Sequence, residues 1–299
     1  MGDRKALISG GTGFIGSALC RRLVGDGWDV HLVIRSESRM HLLGSIAKQV
    51  HLHVHDGSTD GLQTIVRKAS PTTVFHLASL FLPEHKSGDI EPLVRSNILF
   101  GVQLLEAMTI HGVYELINTG TSWQHFENKE YDPVCLYAAT KEAFESILTF
   151  YLHATPLRAV TLKLFDTYGP NDPRNKLFSL LRRAANTQIT LAMSPGEQLV
   201  DLVYVDDVVD AYLAAVRRLQ VPEVMHEHYS VSTGAPISLK DVVALYGHTV
   251  GIPVPVEWGL RTYRAREVMV PWSQGRRLPG WRPKTSLHEG IRKMEGIVT

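Results

Sequence analysis

Tyr137 and Lys141 stand four residues apart, so a phenol and an amine would be neighbours if this segment is a helix. The residues after Pro133 follow a helical pattern, so the two side chains would share one helix face. A free phenol has a pKa of about 10, and a fixed ammonium nearby favours the phenolate and lowers that value. The phenol would then exchange a proton with a carbonyl or an alcohol. A hydroxyl from Thr121 or Ser122, at the end of the preceding predicted strand, is placed to hold the same oxygen.

A glycine-rich segment, SGGTGFIG at residues 9–16, lies between the predicted strand KALIS and a helical pattern. At the glycine positions of the GxxGxxG spacing, any larger side chain would block a pyrophosphate or push the helix away from the strand. The free N–H groups at the start of the helix would face that anion. We therefore predict a dinucleotide-binding turn rather than an ordinary glycine turn. The predicted contacts are Gly10, Thr12, Gly13, Phe14, Ile15 and Gly16.

The spacing of Tyr137 and Lys141 is a weak signal when it is taken alone. The chain has 10 tyrosines, and chance would place about 0.4 such pairs in a chain of this composition. A helix-surface contact is therefore the alternative. The pair follows a predicted fifth strand that ends in hydroxyls, downstream of the glycine turn, and this conjunction favours a catalytic role.

Residues after the second predicted strand indicate which dinucleotide is bound. In NAD-binding domains an acidic residue at this strand end holds the ribose hydroxyls. Here Arg35 and Ser36 follow the strand, with Arg39 close behind, and a guanidinium matches a 2′-phosphate in geometry and charge. We predict NADP(H), while Glu37 leaves NAD open and a solvated surface arginine is the alternative. Two further predicted cofactor contacts, placed after the third strand, are Asp56 and Gly57.

The elements that must position these residues alternate along the first half of the chain. Six β-rich runs, KALIS, VHLVI, VHLHV, TTVFHLA, ELINTG and AVTLKLF, are separated by helical patterns such as FIGSALCRRLVGDG. This alternation predicts an α/β fold, a doubly wound parallel sheet of the Rossmann type with helices on both faces. After about residue 166 the pattern becomes irregular and richer in Pro, Gly and Arg. We predict a second, smaller mixed α/β region there.

Composition excludes several classes of function. A formal net charge of +1 provides no broad field for nucleic acid or an anionic membrane. The 2 cysteines form no CxxC pair, so neither a disulfide framework nor a zinc knuckle is predicted. The sequence before the glycines has no apolar signal region, and the chain has no uninterrupted apolar run of about 18 residues. We therefore predict no membrane span and a cytoplasmic location.

Three histidines, His51, His53 and His55, alternate along one predicted strand and would face the same side. This arrangement raises the question of a metal site. No further set of ligands with a recognisable spacing accompanies them, and an exposed or half-buried strand face accounts for the pattern. We predict no metal site in this chain.

With these motifs in place, the sequence resembles the extended branch of the short-chain dehydrogenases/reductases, which act largely on nucleotide sugars. The resemblance covers nearly the whole chain. It implies that Tyr137 is the acid/base, that Lys141 also holds the nicotinamide ribose, and that Thr121 orients the sugar carbonyl. The supporting motifs are the GxxGxxG turn, Asp56, His76-Leu77-Ala78, Asn97, Thr121/Ser122, Tyr137-x-x-x-Lys141, Tyr168-Gly169-Pro170, the segment DLVYVDD (201–207) and the closing PGWRPKTSL (279–287).

The same resemblance implies an organisation for the chain. Residues 1–165 with about 199–230 would form the dinucleotide-binding domain, and about 166–198 with 231–299 the substrate-binding domain. Leu77 and Ala78 would contact the cofactor. Members of this family usually form dimers, here through the helices bearing Asn97 and Tyr137.

Two features distinguish among the reactions of such enzymes. Sugar 4,6-dehydratases that resemble this chain have an Asp-Glu pair just after the catalytic threonine, whereas Thr121 is followed by Ser122-Trp123-Gln124. Arg35 favours exchangeable NADPH over an NAD that is recycled within each turnover. We predict NADPH-dependent reduction of a keto-sugar nucleotide, such as a 4-keto-6-deoxyhexose. An NAD-dependent nucleotide-sugar 4-epimerase and a non-catalytic NADPH-binding sensor remain alternatives.

The resemblance also suggests where a nucleotide-diphosphate sugar would bind. Asp166 stands where many relatives have an asparagine, and a carboxylate beside phosphates is unfavourable unless it points away or pairs with a base. Val200 replaces the arginine that precedes the position of Asp201 in the family, and Arg261, Arg264 and Arg266 offer replacement charge. The predicted substrate contacts are Thr121, Ser122, Trp123, Lys176, Leu177 and Arg264.

Overall fold

A computed structural model describes residues 4–297, so the outer limits of the predicted domains, residues 1 and 299, lie outside the described residues. The main sheet has seven strands, and every neighbouring pair in it is parallel. In chain order the strands are β1 (Lys5–Ser9), β2 (Asp29–Ile34), β3 (His51–Val54), β4 (Thr73–His76), β5 (Glu115–Thr121), β6 (Arg158–Leu164), β7 (Asp166–Tyr168), β8 (Leu191–Met193), β9 (Leu199–Val200), β10 (Leu202–Tyr204), β11 (His226–Val231), β12 (Ile237–Ser238) and β13 (Val256–Trp258).

The order of the main sheet is β11-β6-β5-β4-β1-β2-β3, which confirms the predicted Rossmann-type fold. The six predicted strands are β1 to β6, whereas the edge strand β11 was not predicted. Ala6, Leu7 and Ile8 of β1 are fully buried, as expected for a central strand covered on both faces. The sheet order reverses between β1 and β4, and in open α/β sheets ligands bind at such a point, beyond the carboxyl ends of the strands.

Helices cover both faces of the main sheet. They are α1 (Phe14–Gly25), α2 (Thr59–Ala69), α3 (Ile90–Val94), α4 (Phe100–Ile110), α5 (Leu136–Ala154), α6 (Leu177–Thr187), α7 (Val205–Leu219), α8 (Leu239–Val250) and α9 (Leu287–Glu295). One apolar core joins α1 and α7 to the sheet, and Leu19 and Tyr212 are fully buried in it. On the other face a second core joins α2, α4 and α5, with Leu62 and Leu148 fully buried.

A third apolar cluster lies in the later part of the chain. It joins α6, α8 and α9 with Tyr168 of β7 and Tyr204 of β10. Three short two-stranded sheets, β7 with β10, β9 with β12 and β8 with β13, connect these helices. Because β7 follows β6 after a single residue, Phe165, this region begins directly at the carboxyl edge of the main sheet.

A π-helical segment, Arg95–Leu99, joins α3 to α4, so that Ser87–Ile110 is one continuous helix. Among the described residues it is the one helix long and apolar enough to cross a membrane by length and composition. In its most apolar window 44% of the helix is buried inside the protein, and core helices of soluble proteins meet the same criteria. The helix is therefore weak support for a membrane span.

Candidate active site

The glycine turn between β1 and α1 forms a tight cradle. Gly10 has φ +76°, and a Cβ added there would lie 2.7 Å from the backbone nitrogen of Ala78. At Gly16 an added Cβ would lie 2.1 Å from the carbonyl oxygen of Gly10, so helix and turn pack backbone to backbone. Gly13 is the N-cap residue of α1, and because it has no side chain, it leaves the first N–H groups of the helix uncapped. The turn therefore presents free donors to an anion, and its residues fit the pyrophosphate of a dinucleotide.

Arg35 lies at the carboxyl end of β2, beside this turn in the sheet. Its side chain is 73% exposed and forms a salt bridge with Glu37 (Nε–Oε1 3.0 Å). Ser36 donates a hydrogen bond to the same carboxylate, while the hydroxyl of Ser38 accepts one from the Arg35 N–H. Arg39 is exposed nearby. A basic and an acidic group thus stand together at the position where the adenosine ribose is recognised.

The loops after β3 and β4 complete the cofactor edge. Asp56 is exposed, and hydrogen bonds from the Ser58 hydroxyl and N–H lower the pKa of its carboxyl. Gly57 has φ +91°, a conformation that favours glycine. The loop after β4 returns to β1, because the Leu77 N–H donates to the Ser9 carbonyl (3.1 Å). Leu77 and Ala78 therefore lie directly against the glycine turn.

Tyr137 and Lys141 lie on the first turns of α5, and both are buried. The predicted helical pairing is correct, but the predicted decrease in the phenol pKa is not observed. Burial raises the pKa of Tyr137 above its usual value, and the neighbouring hydroxyls of Ser79 and Thr121 offset this only in part. Burial also lowers the pKa of the Lys141 ammonium to about 8, although the charge of Glu145 opposes the decrease. Desolvation is thus the largest influence on the pKa of both groups in the protein alone.

Thr121 is the last residue of β5 and lies beside Tyr137. It is buried, and its hydroxyl lowers the pKa of Tyr137 by hydrogen bonding. Its backbone N–H donates to the side chain of Gln124 (2.9 Å), which fixes the end of the strand. The phenol and the Thr121 hydroxyl therefore meet at the carboxyl edge of the sheet, with the Lys141 amine four residues further along α5, an arrangement suited to holding and protonating a carbonyl oxygen.

Asn97 links the loop after β4 to α5, the helix that bears Tyr137. Its side-chain oxygen accepts hydrogen bonds from the Leu80 N–H (2.7 Å) and the Ser79 hydroxyl (3.2 Å). Its amide donates to the Thr140 hydroxyl (2.9 Å), one helical turn from Tyr137. It lies in the π-helical segment, whose extra residue per turn is a feature often found at functional sites.

A cavity of about 800 Å³ opens beside Ser122 and Trp123, directly after the end of β5. Five of the six predicted substrate contacts line it, and the sixth, Thr121, is the residue directly before one of them. Phe81, which sequence reasoning missed, forms the cavity wall beside Tyr137. Its ring centroid lies 5.0 Å from that of Tyr137 and 5.5 Å from that of Trp123. The five lining residues are Ser122, Trp123, Lys176, Leu177 and Arg264.

The charges in this cavity are mostly paired. Asp166 lies 3.6 Å from the Lys176 ammonium, which provides the basic partner that a carboxylate near phosphates requires. Arg264 binds Glu267 with two hydrogen bonds (2.8 and 2.9 Å), and its guanidinium also lies 5.2 Å from the Trp123 ring centroid. Within residues 4–297, Arg261 has no carboxylate within 4.0 Å. It lines the cavity and is the cation best placed to accept a new anionic partner.

A family model described as the NAD dependent epimerase/dehydratase family matches residues 6–231. The chain belongs to that family. Its relatives are extended short-chain dehydrogenases/reductases, so the chain is an enzyme of this NAD(P)-dependent type, as the resemblance implied.

Several members of the family match nearly the whole of this chain. It is 27% identical to the CDP-abequose synthase of Salmonella typhimurium, over 96% of both chains. It is 28% identical to the UDP-glucose 4-epimerase of Mycolicibacterium smegmatis, over 97% of this chain and 96% of the relative. Among solved structures, MoeE5 in complex with UDP-glucuronic acid and NAD superposes with a TM-score of 0.83 at 25% identity, over 97% of each chain. The Brucella ovis UDP-glucose 4-epimerase, with a TM-score of 0.86 at 21% identity, shows the fold alone.

A buried polar network that was not predicted lies behind the end of β5. Gln124 donates to Glu142 and to Glu145 (3.1 Å). Glu145 in turn accepts from the Lys163 ammonium (2.8 Å), and both side chains are about 95% buried. Because Gln124 also holds the backbone of Thr121, this network fixes the position of the threonine.

His76, the last residue of β4, provides a prediction about pH. Its ring shares a hydrogen bond with Ser9 (2.8 Å), and burial lowers its pKa to about 3, with a further decrease from the charge of Lys141. Below pH 6.5 the unfolded chain binds a proton at His76 that the folded chain excludes. The free energy of unfolding therefore decreases as the pH is lowered. The loss is about 2–3 kcal/mol between pH 6.5 and 4.5. Urea titrations of the wild-type protein at both pH values should show this loss of stability. In His76→Gln the decrease between the two pH values should be smaller by about the same amount, because the titrating imidazole is gone. An equal loss in both proteins would contradict the assignment.

Proposed function

We propose that this enzyme is an NADPH-dependent reductase of a keto-sugar nucleotide, such as a 4-keto-6-deoxyhexose. The supporting observation is Arg35, exposed at the carboxyl end of β2 beside the glycine turn. Its planar guanidinium matches a ribose 2′-phosphate and forms charge-assisted hydrogen bonds with it. A reductase that exchanges its cofactor every turnover is served by the phosphorylated, reduced dinucleotide.

The residues of the site divide the work of this reaction. When bound, the cofactor supplies the hydride. Tyr137 donates its proton to the oxygen of the carbonyl group, and its raised pKa keeps the phenol protonated and ready to do so. Thr121 steadies the developing alkoxide, and Lys141 holds the ribose on the same helix face. No carboxylate follows Thr121, so the pair that water elimination would need is absent from residues 122–124.

The substrate cavity suits a nucleotide-linked sugar. Phe81 and Trp123 present aromatic surface beside Tyr137, which suits the apolar face and deoxygenated carbon of a 6-deoxy sugar. Arg261 and Lys176 bring positive charge to the same cavity for a diphosphate. The relatives named for CDP-linked and UDP-linked sugars support this class of substrate.

The test is NADPH oxidation with a panel of CDP-, UDP- and dTDP-linked 4-keto-6-deoxyhexoses. One substrate should be reduced, with stoichiometric consumption of NADPH and a new hydroxyl group in the product. A 4-epimerase, the alternative favoured by the Arg35–Glu37 pair and by the NAD in related structures, would instead purify with NAD and interconvert substrates without reductant. Tight NADPH binding with a silent panel would leave the non-catalytic sensor.

Replacing Arg35 with serine should raise KM for NADPH by about 10- to 100-fold, because a hydrogen-bonded charge pair contributes about 1.5–3 kcal/mol. KM for NADH should change little. Arg67→Ser, which removes an exposed arginine of α2 that has no predicted cofactor contact, is the matched control. A wild-type preference for NADH, or equal changes for both cofactors in Arg35→Ser, would overturn the NADP assignment.

We further propose that the enzyme is a homodimer through α3–α4 and α5, the helices bearing Asn97 and Tyr137. These helices expose large apolar side chains, and Phe150 is 64% exposed. Placing a charge there with Phe150→Glu should halve the mass measured by light scattering, because an unpaired charge is costly in an apolar interface. Ile189→Glu, at an exposed apolar position outside these helices, should stay dimeric. A monomeric wild-type enzyme would refute the proposal. The exposed set on these helices is Ile90, Val94, Leu99, Ile110 and Phe150.

A further inference from the structure

Three potential metal ligands meet at the amino ends of β2 and β3. Asp29 and His31 belong to β2, and His51 is the first residue of β3. One ligand atom from each residue lies within 4.8 Å of the other two. This cluster lies at the opposite edge of the sheet from the glycine turn, because β1, β2 and β3 are parallel.

Strand register explains why sequence spacing did not reveal this cluster. His31 pairs with His51 across the parallel strands, so their side chains are lateral neighbours on one face. Asp29 lies two residues before His31 and therefore points to the same face. The two imidazole rings stack with centroids 4.6 Å apart. The sequence signal is thus DxH on one strand aligned with HxH on the next, and it becomes visible only when the pairing is known.

The contacts in this cluster have the spacing expected of ligands around one metal ion. The Nε2 atom of His31 lies 3.3 Å from one Asp29 oxygen, and that of His51 lies 3.2 Å from the other. Two atoms that bind one tetrahedral ion at about 2.0–2.1 Å are separated by roughly 3.3 Å. The His31 Nε2 atom is buried and has no hydrogen-bond partner, on a residue that is 8% exposed. A buried nitrogen without a partner is uncommon unless an ion or water satisfies it.

His53 supplies the outer contact that a metal-binding histidine usually has. Its Nε2 atom lies 2.9 Å from Nδ1 of His31, on the side of the ring away from Asp29. When Nδ1–H of His31 donates to His53, the Nε2 atom is the unprotonated nitrogen and its lone pair is free for an ion. Such a second hydrogen bond fixes both the tautomer and the orientation of a ligand ring.

The geometry points to a site for a divalent transition-metal ion, with Zn²⁺ as the best match, bound by Asp29, His31 and His51 and completed by water. Two imidazoles and a carboxylate are ligands that suit Zn²⁺ rather than Mg²⁺ or Ca²⁺. The site lies about one strand length from the cofactor edge, since β2 rises roughly 3.3 Å per residue. The bound ion therefore joins the edge strand β3 to β2 and takes no part in hydride transfer. Its nearest competitor is Lys5, whose ammonium lies 3.9 Å from Asp29.

Calorimetric titration of the tag-free full-length enzyme with Zn²⁺ tests the site. One equivalent should bind, and the bound ion should raise the midpoint of thermal unfolding. His51→Ala removes an exposed ligand without disturbing a core and should abolish both effects. His288→Ala removes an exposed imidazole on α9 and should retain both. A wild-type enzyme that binds no Zn²⁺, or a His51→Ala variant that binds it as well as wild type, overturns the proposal.

The His53→Ala variant tests the orientation of the His31 ring. Losing an outer hydrogen bond to a metal ligand weakens metal affinity by about 10- to 100-fold while the stoichiometry stays at one. Reductase activity should be the same in His51→Ala, His53→Ala and wild type at equal fractions folded. A large loss of activity on removal of Zn²⁺ from the folded wild-type enzyme would contradict a site remote from the chemistry.

Discussion

Replacing Tyr137 with phenylalanine should lower kcat by about 10²- to 10⁴-fold, the usual contribution of a positioned acid or base. The hydroxyl of this residue is the only part that is removed, and its ring keeps its contact with Phe81. Cofactor affinity should therefore remain within about a factor of three of wild type, since phenol deletion leaves the glycine turn and Arg35 untouched. Because KM for the sugar should change little, the loss appears in kcat and in kcat/KM alike.

Single-turnover assays with saturating NADPH and the best substrate of the panel measure this effect. Tyr131→Phe, at an exposed tyrosine elsewhere in the chain, is the matched control and should retain wild-type turnover. Fluorescence titration with NADPH verifies that the Tyr137→Phe variant still binds the cofactor. Turnover of that variant within tenfold of wild type would remove Tyr137 from the role of acid.

Replacing Lys163 with methionine should lower the free energy of unfolding by up to about 3–5 kcal/mol, because the buried Glu145 carboxylate loses its ammonium partner and keeps the more distant His228 at 3.5 Å. Burial alone would raise the pKa of Glu145, but His228 and Lys163 bring it down to about 2, so the carboxylate is ionised when folded. The same replacement also disturbs Glu145, the carboxylate that binds Gln124, and Gln124 in turn holds the Thr121 backbone. We expect reduced kcat in the fraction of the variant that remains folded.

Urea unfolding followed by circular dichroism measures the loss of stability. The double variant Glu145→Gln with Lys163→Met removes both charges and should recover most of it, because replacing a whole buried pair by neutral groups is often nearly neutral. The glutamine side chain can still accept a hydrogen bond from Gln124. If Lys163→Met and the double variant unfold at the same urea concentration, the pair does not have the proposed coupling.

The spacing of apolar residues and the positions of turn residues were enough to predict the main sheet and its alternation with helices. The apolar runs that became β1 to β6 are bounded by turn residues and alternate with helical patterns, so the sheet follows from local pattern. β11 was missed because its first residues, HEH, are polar, and it becomes a strand only by pairing with β6. The glycine turn was also predictable, since its spacing reflects a backbone contact within seven residues of chain.

Features that depend on distant pairing were not accessible in the same way. Glu145 and Lys163 are 18 residues apart, on a helix and the following strand, and nothing local indicates that they meet. The direction of the Tyr137 pKa depends on burial, which sequence spacing cannot supply. Phe81 became a cavity wall only because the loop after β4 folds towards α5. Long-range contacts of this kind set the electrostatics of the site, whereas short-range patterns set its scaffold.

The π-helical segment also constrains the length of its helix. Asn97 reaches both Leu80 and Thr140 because one surplus residue is accommodated between α3 and α4. Deleting a single position in 95–99 would restore ordinary α-helical winding with the flanking turns of α3 and α4 nearly unchanged in orientation, but it would remove the bulge that carries Asn97. Loss of one codon there would therefore uncouple the loop that bears Ser79 and Phe81 from the catalytic tyrosine, although no residue of the site itself had been altered.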